Sequence, residues 1–123
     1  MRYLNKIADA VHETGTSVII HICGDVRMVK SQLQKLHGDV ISVDVMADLK
    51  NLKEERIAQR TMGNFSVYLL EFSAAEKIWR HAKFLKTKNI DVFAPACGLS
   101  ASTPLINITT FTFAVKEDET CRK

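Results

Sequence analysis

The apolar positions of this chain switch between two periods, and the switch recurs four times. From residue 3 to 14, Leu4, Ile7, Ala8 and Val11 recur at helical spacing until Gly15 ends the run. Ser17-Val18-Ile19-Ile20-His21-Ile22 is then a short β-branched run, the mark of a strand buried on both faces. Asp25 is placed to cap a helix over about 26–36, with Val26, Val29, Leu33 and Leu36 as its apolar face, and Gly38 closes it. Val40 to Asp44 is the second strand, and a helix near 47–56 turns Leu49 and Leu52 inward. The third strand is expected over Ile57 to Met62, broken by Gly63-Asn64. Ser73, with Glu76 at the capping-box spacing, opens a long helix over 74–87. Asp91 to Ala94 is the fourth strand, and Pro104 starts a last helix over 104–115.

Strands alternating with helices at this spacing predict an α/β fold with parallel strands and right-handed crossovers. An open doubly wound sheet and an arc of a (β/α) barrel both fit. A complete eight-stranded barrel usually takes about 250 residues. Four βα units would supply half of one TIM (β/α)8 barrel. The expected organisation is a single domain over 1–123, with the charged tail 116–123 disordered.

Composition narrows the partners. With 46% hydrophobic and 25% charged residues, the 123-residue chain reads as one ordinary globular domain. A net charge of +3 is too small and too evenly spread to argue for nucleic acid or a membrane surface. No run approaches the ~18–20 apolar residues of a membrane span. The start, Met1-Arg2-Tyr3-Leu4-Asn5-Lys6, lacks the apolar stretch of a secretory signal, so a cytoplasmic location is expected. Three cysteines make a poor disulfide framework.

The chemistry-bearing residues collect at strand ends. His21 and Cys23, two apart at the end of the first strand, point to the same side. Cys97 follows the fourth strand, and the carboxyl edge of a parallel sheet is where ligands bind. One imidazole and two thiolates suit Zn²⁺, and three protein ligands leave a fourth position open, as catalytic zinc sites do. A thiol bound there would lose its proton and become a nucleophile, which suggests alkyl transfer to a thiol. The bland alternative is two cysteines that simply fill space. Geometry adds a condition: on a flat sheet the first and fourth of four neighbouring strands lie roughly 14 Å apart. The sheet must curve, or the strand order must change, for one ion to reach all three.

Several segments together resemble a known group. They are His21-Ile22-Cys23-Gly24, Ile41-Ser42-Val43-Asp44, Met62-Gly63-Asn64-Phe65-Ser66, Ala94-Pro95-Ala96-Cys97-Gly98-Leu99, and Thr103-Pro104-Leu105 with Asn107. Over about residues 3–115 the chain resembles the C-terminal half of the methylcobamide:coenzyme M methyltransferases, of the uroporphyrinogen decarboxylase-like superfamily. The resemblance implies a TIM barrel with zinc at its C-terminal mouth, held by His21, Cys23 and Cys97. It further implies a small thiol substrate such as coenzyme M, and a methyl group from a methylcobamide on a partner corrinoid protein. Asp44 and Asn64 would line the mouth as substrate-binding residues, with no catalytic residue beyond the metal. The first four βα units of the family barrel have no counterpart here, which leaves open a non-catalytic or truncated half-barrel that keeps a zinc site. Uroporphyrinogen decarboxylases share the barrel but not the zinc motif, so decarboxylation ranks third. Bare strand edges and an uncovered sheet face are a liability that C₂ pairing would relieve, so a homodimer is expected.

The remaining candidates read as structure. His12, His37 and His81 fall on helices or turns as solvated residues, Trp79 as packing, and the Lys50 to Arg56 charge run as a solvated helix face.

Overall fold

The structure is a computed structural model that describes residues 1–48 and 59–117. Helix α1 (Arg2–His12) leads into strand β1 (Ile19–Ile22). A 3-10 turn (Arg27–Val29) runs into the one-turn helix α2 (Lys30–Leu33), and β2 (Val40–Val43) follows. After it come β3 (Arg60–Phe65), α3 (Val67–Phe72), α4 (Ala75–Lys86), β4 (Val92–Pro95) and α5 (Leu105–Lys116). The expected helix near 47–56 and most of the tail lie outside the described residues. No helix among the described residues is long and apolar enough to cross a membrane.

The four strands form one parallel sheet in the order β1-β2-β3-β4. Alternation assigns the faces, because cross-strand partners share one. Ile20 pairs with Ile41, and Ile41 with Thr61. Ile20 and Ile41 pack with Val43, Phe65, Leu70, Ile78, Ala82 and Phe111 into the core between sheet and helices. His21 pairs with Ser42, and Ser42 with Met62, on the opposite, concave face. That face is open: Ile19 is 55% exposed, so β1 is buried on one side rather than on both. The expectation of a doubly buried strand fails because nothing among the described residues covers the concave side.

Ion pairs and carboxylate bonds fasten the strand starts. Asp39 accepts the Val18 N–H at 2.7 Å and the His12 Nε2–H at 2.9 Å, which ties β1, β2 and α1 together. Asp91 does the same for β3 and β4, accepting from the Thr61 N–H and hydroxyl at 2.8 and 2.9 Å. His12 is therefore a half-buried structural residue, and His81 is half-buried with its ring edge-on to Phe65 at 5.2 Å. Burial lowers the His81 pKa, and the nearby Lys77 charge lowers it further.

Three local expectations are corrected, the first being the helix expected over 26–36, which is only a 3-10 turn and one helical turn from Arg27 to Leu33. The third strand does not stop at Gly63-Asn64 but passes through them to Phe65. Gly63 takes a φ of 130°, a conformation open to glycine, and stays paired with Phe93, so it marks a special backbone position inside the strand rather than its end. The Ser73–Glu76 capping box does not form: α4 begins after Ala74 without a side-chain cap. Ser73 instead ends α3, whose own cap is Ser66, accepting the Leu69 N–H at 3.3 Å. Asn107 of α5 then donates to the carbonyls of Leu70 and Ser73 at 2.8 and 3.0 Å, satisfying groups that the end of α3 leaves open.

Candidate metal centre

His21, Cys23 and Cys97 meet at the carboxyl ends of β1 and β4, the two outermost strands. Cys23 Sγ lies 3.7 Å from Cys97 Sγ and 3.1 Å from His21 Nε2, and all three ligand atoms fall within 4.8 Å of one another. A flat sheet would separate these strands by roughly 14 Å. The sheet is therefore an arc, and its curvature satisfies the condition that the sequence imposes.

The donor set fits a tetrahedral ion. Zn–S bonds of about 2.3 Å put two sulfurs of a tetrahedron about 3.8 Å apart, beside the 3.7 Å found here. With Zn–N of about 2.0 Å, the matching N···S edge is about 3.5 Å, a little longer than the 3.1 Å of His21 and Cys23. A small outward movement of one side chain closes that difference, and all three side chains are exposed enough to make it.

Supporting bonds fix two of the three donors. His21 Nδ1 lies 2.9 Å from the buried Ser42 hydroxyl, its cross-strand partner, so the ring is oriented with Nε2 toward the cysteines. Asp44, just past β2, accepts the Gly24 N–H at 3.0 Å and the Val45 N–H at 2.6 Å, which pins the loop carrying Cys23. Asn64 is buried, and its amide donates to the carbonyls of Asp44 and Ala47 at 3.0 and 2.7 Å. The Cys97 thiol hydrogen-bonded to Cys23 raises the pKa of Cys23, with desolvation and the Asp44 charge adding to the effect.

A cleft of about 310 Å³ on the concave face opens beside the ligands. Its walls are Ile19, His21, Ser42, Met62, Ala94, Pro95, Cys97 and Gly98. Neither Asp44 nor Asn64 is among its lining residues: Asp44 bonds to the Cys23 loop through Gly24, and Asn64 lines a separate pocket with Ala47, His81 and Phe84. Ser42 is the site residue that sequence reasoning passed over. Its one signal is a hydroxyl inside an otherwise β-branched strand.

A model of the uroporphyrinogen decarboxylase (URO-D) family matches residues 1–118. The chain belongs to that family. Within it, this URO-D chain is 28% identical over 107 residues to the methylcobamide:CoM methyltransferase MtbA of Methanosarcina acetivorans, covering 86% of this chain and 32% of that one. It is 33% identical over 110 residues to the methylcobamide:CoM methyltransferase MtaA of Methanosarcina barkeri, covering 85% of this chain and 31% of the relative. A solved methyltransferase from Methanosarcina mazei superposes with a TM-score of 0.82 at 31% identity, over 91% of this chain and 33% of that structure. The chain thus spans about a third of the length of the curated relatives it matches. The fold is the α/β arc expected of a half barrel.

Proposed function

We propose that this chain holds zinc through His21, Cys23 and Cys97 and serves methyl transfer from a methylated corrinoid, carried on a partner protein, to a small thiol such as coenzyme M. The observation that carries the reading is the convergence of one imidazole and two thiols, from opposite edges of the sheet, at a spacing suited to a tetrahedral ion. Relatives named as methylcobamide:CoM methyltransferases support the reaction class.

Zinc bound by these side chains would supply Lewis acidity, keeping a thiol ionised near neutral pH. The rest falls to the chain's own groups. Ser42 orients the His21 ring, and Asp44 holds the Cys23 loop through Gly24. Asn64 fixes the segment from Asp44 to Ala47, so Asp44 and Asn64 act on substrate by shaping the mouth. Ile19, Met62 and Ala94 give the cleft an apolar wall, which suits the alkyl portion of a small thiol.

A second reading keeps the zinc and drops the catalysis, and it is favoured by the openness of the concave face, where Ile19 is half exposed. Under the first reading, water exclusion at the mouth would need a covering partner. We propose a second copy of this chain in that place, meeting the first along the edges of β1 and β4. Light scattering on the eluting protein should give twice the mass of one chain; a clean monomer refutes the pairing. Assay with methylcobalamin and coenzyme M separates the two readings: thiol methylation lost in Cys97→Ser supports the first, and bound zinc without turnover supports the second.

A further inference from the structure

The zinc reading uses Cys23 and Cys97 as separate donors, but their mutual geometry carries a second consequence. Their sulfurs are 3.7 Å apart, both side chains are exposed, and both lie just past strand ends rather than inside the ladder. An S–S bond of about 2.0 Å requires an approach of about 1.7 Å, within the reach of loop and side-chain adjustment. The two residues come from opposite edges of the sheet, so a bond between them would staple β1 to β4 across the arc.

We infer that Cys23 and Cys97 are a redox modification site: without metal, a hydroperoxide converts them to an intramolecular disulfide that closes the metal site. The thiolate of one cysteine attacks a peroxide oxygen; the O–O bond breaks, giving a sulfenic acid and releasing hydroxide, or an alkoxide from an organic peroxide. The sulfur of the second cysteine attacks the sulfenic sulfur; the S–O bond breaks, and the departing hydroxide takes the second thiol's proton as water. Overall two thiols are oxidised and one peroxide is reduced, by two electrons. The same two sulfurs cannot ligate an ion and be bonded to each other, so metal and disulfide exclude one another. The proposal does not require the site to be catalytic; only metal protection leans on the zinc reading.

The test treats the metal-free chain with hydrogen peroxide and maps its peptides without reduction. The expected result is a Cys23–Cys97 linked peptide, loss of both thiols together, and their return with dithiothreitol. A Cys121→Ser variant, which removes the third cysteine, should behave identically. Sulfinic acid on either residue without a linked peptide, or bridges that run mainly through Cys121, would overturn the proposal. Loading zinc first should slow the oxidation at least tenfold. If the linked peptide forms equally fast with zinc present, the disulfide stands and the zinc ligand set falls.

Discussion

The carboxylate of Asp44 accepts the backbone N–H of Gly24 at 3.0 Å, so the end of β2 holds the loop that carries Cys23. Asp44 therefore supports the proposed metal centre without being one of its ligands. Supporting groups of this kind typically contribute about 10–100-fold to metal affinity. Asp44→Ala should weaken zinc binding by about that factor while the β-ladder keeps the chain folded, as read by competition with a chromophoric chelator and by circular dichroism. Unchanged affinity would remove Asp44 from the account.

Ser42 supports the proposed ligand on β1, His21. Its hydroxyl is buried and lies 2.9 Å from His21 Nδ1. Ser42→Ala removes that partner and frees the ring to rotate, so zinc affinity should fall about tenfold. Stability of the metal-free chain should change by only about 1 kcal/mol, the usual net value of one hydrogen bond. A large loss of stability with intact affinity would make Ser42 a core residue instead.

Gly38 sits against the β1 side chain that anchors the core. A Cβ there would lie 2.8 Å from Ile20 Cδ1 and 2.9 Å from its Cγ1. Gly38→Ala should cost about 1–3 kcal/mol in urea unfolding, the range for overpacking. Ile20→Ala clears the space, so the double variant should be more stable than the sum of the single effects allows. Additive costs would mean that the clash is relieved elsewhere.

Asp39 gives the fold an acid limit. The Val18 N–H bond, and then His12, hold its carboxyl below the ordinary value. A carboxylate whose folded pKa is depressed contributes stability that is complete above its unfolded value, about 3.9, and is lost as pH falls through the lower folded value. Urea midpoints taken from about pH 6 downward should decline across that window, and Asp39→Asn should flatten this part of the curve while lowering the plateau. An unchanged slope would place the acid sensitivity on other carboxylates.

Much of this architecture was legible in the sequence because apolar runs declare themselves. Ile19 to Ile22, Val40 to Val43 and the long amphipathic stretch ending at Lys86 are observed within a residue or two of where periodicity puts them. The pairing of His21 with Cys23 was also legible, since His-x-Cys on a strand fixes a common side. The approach of Cys97 to that pair was not, because curvature belongs to the sheet and to no single segment. Helix α3 escaped notice because Val67-Tyr68-Leu69-Leu70-Glu71-Phe72 is too short to show a helical period, and Ser73 offered a more familiar cap. Gly63 misled for a related reason: a glycine inside a strand resembles a glycine that ends one. Ser42 has meaning only through its register with His21.

The most direct test of the central claim is zinc bound per chain, measured by elemental analysis on protein reconstituted and desalted in parallel with Cys97→Ser. The account predicts about one zinc per chain in the parent, with sulfur and nitrogen neighbours in the zinc absorption-edge spectrum, and little retained metal in the variant. A parent chain that retains no zinc, or a Cys97→Ser chain that retains as much as the parent, would contradict it.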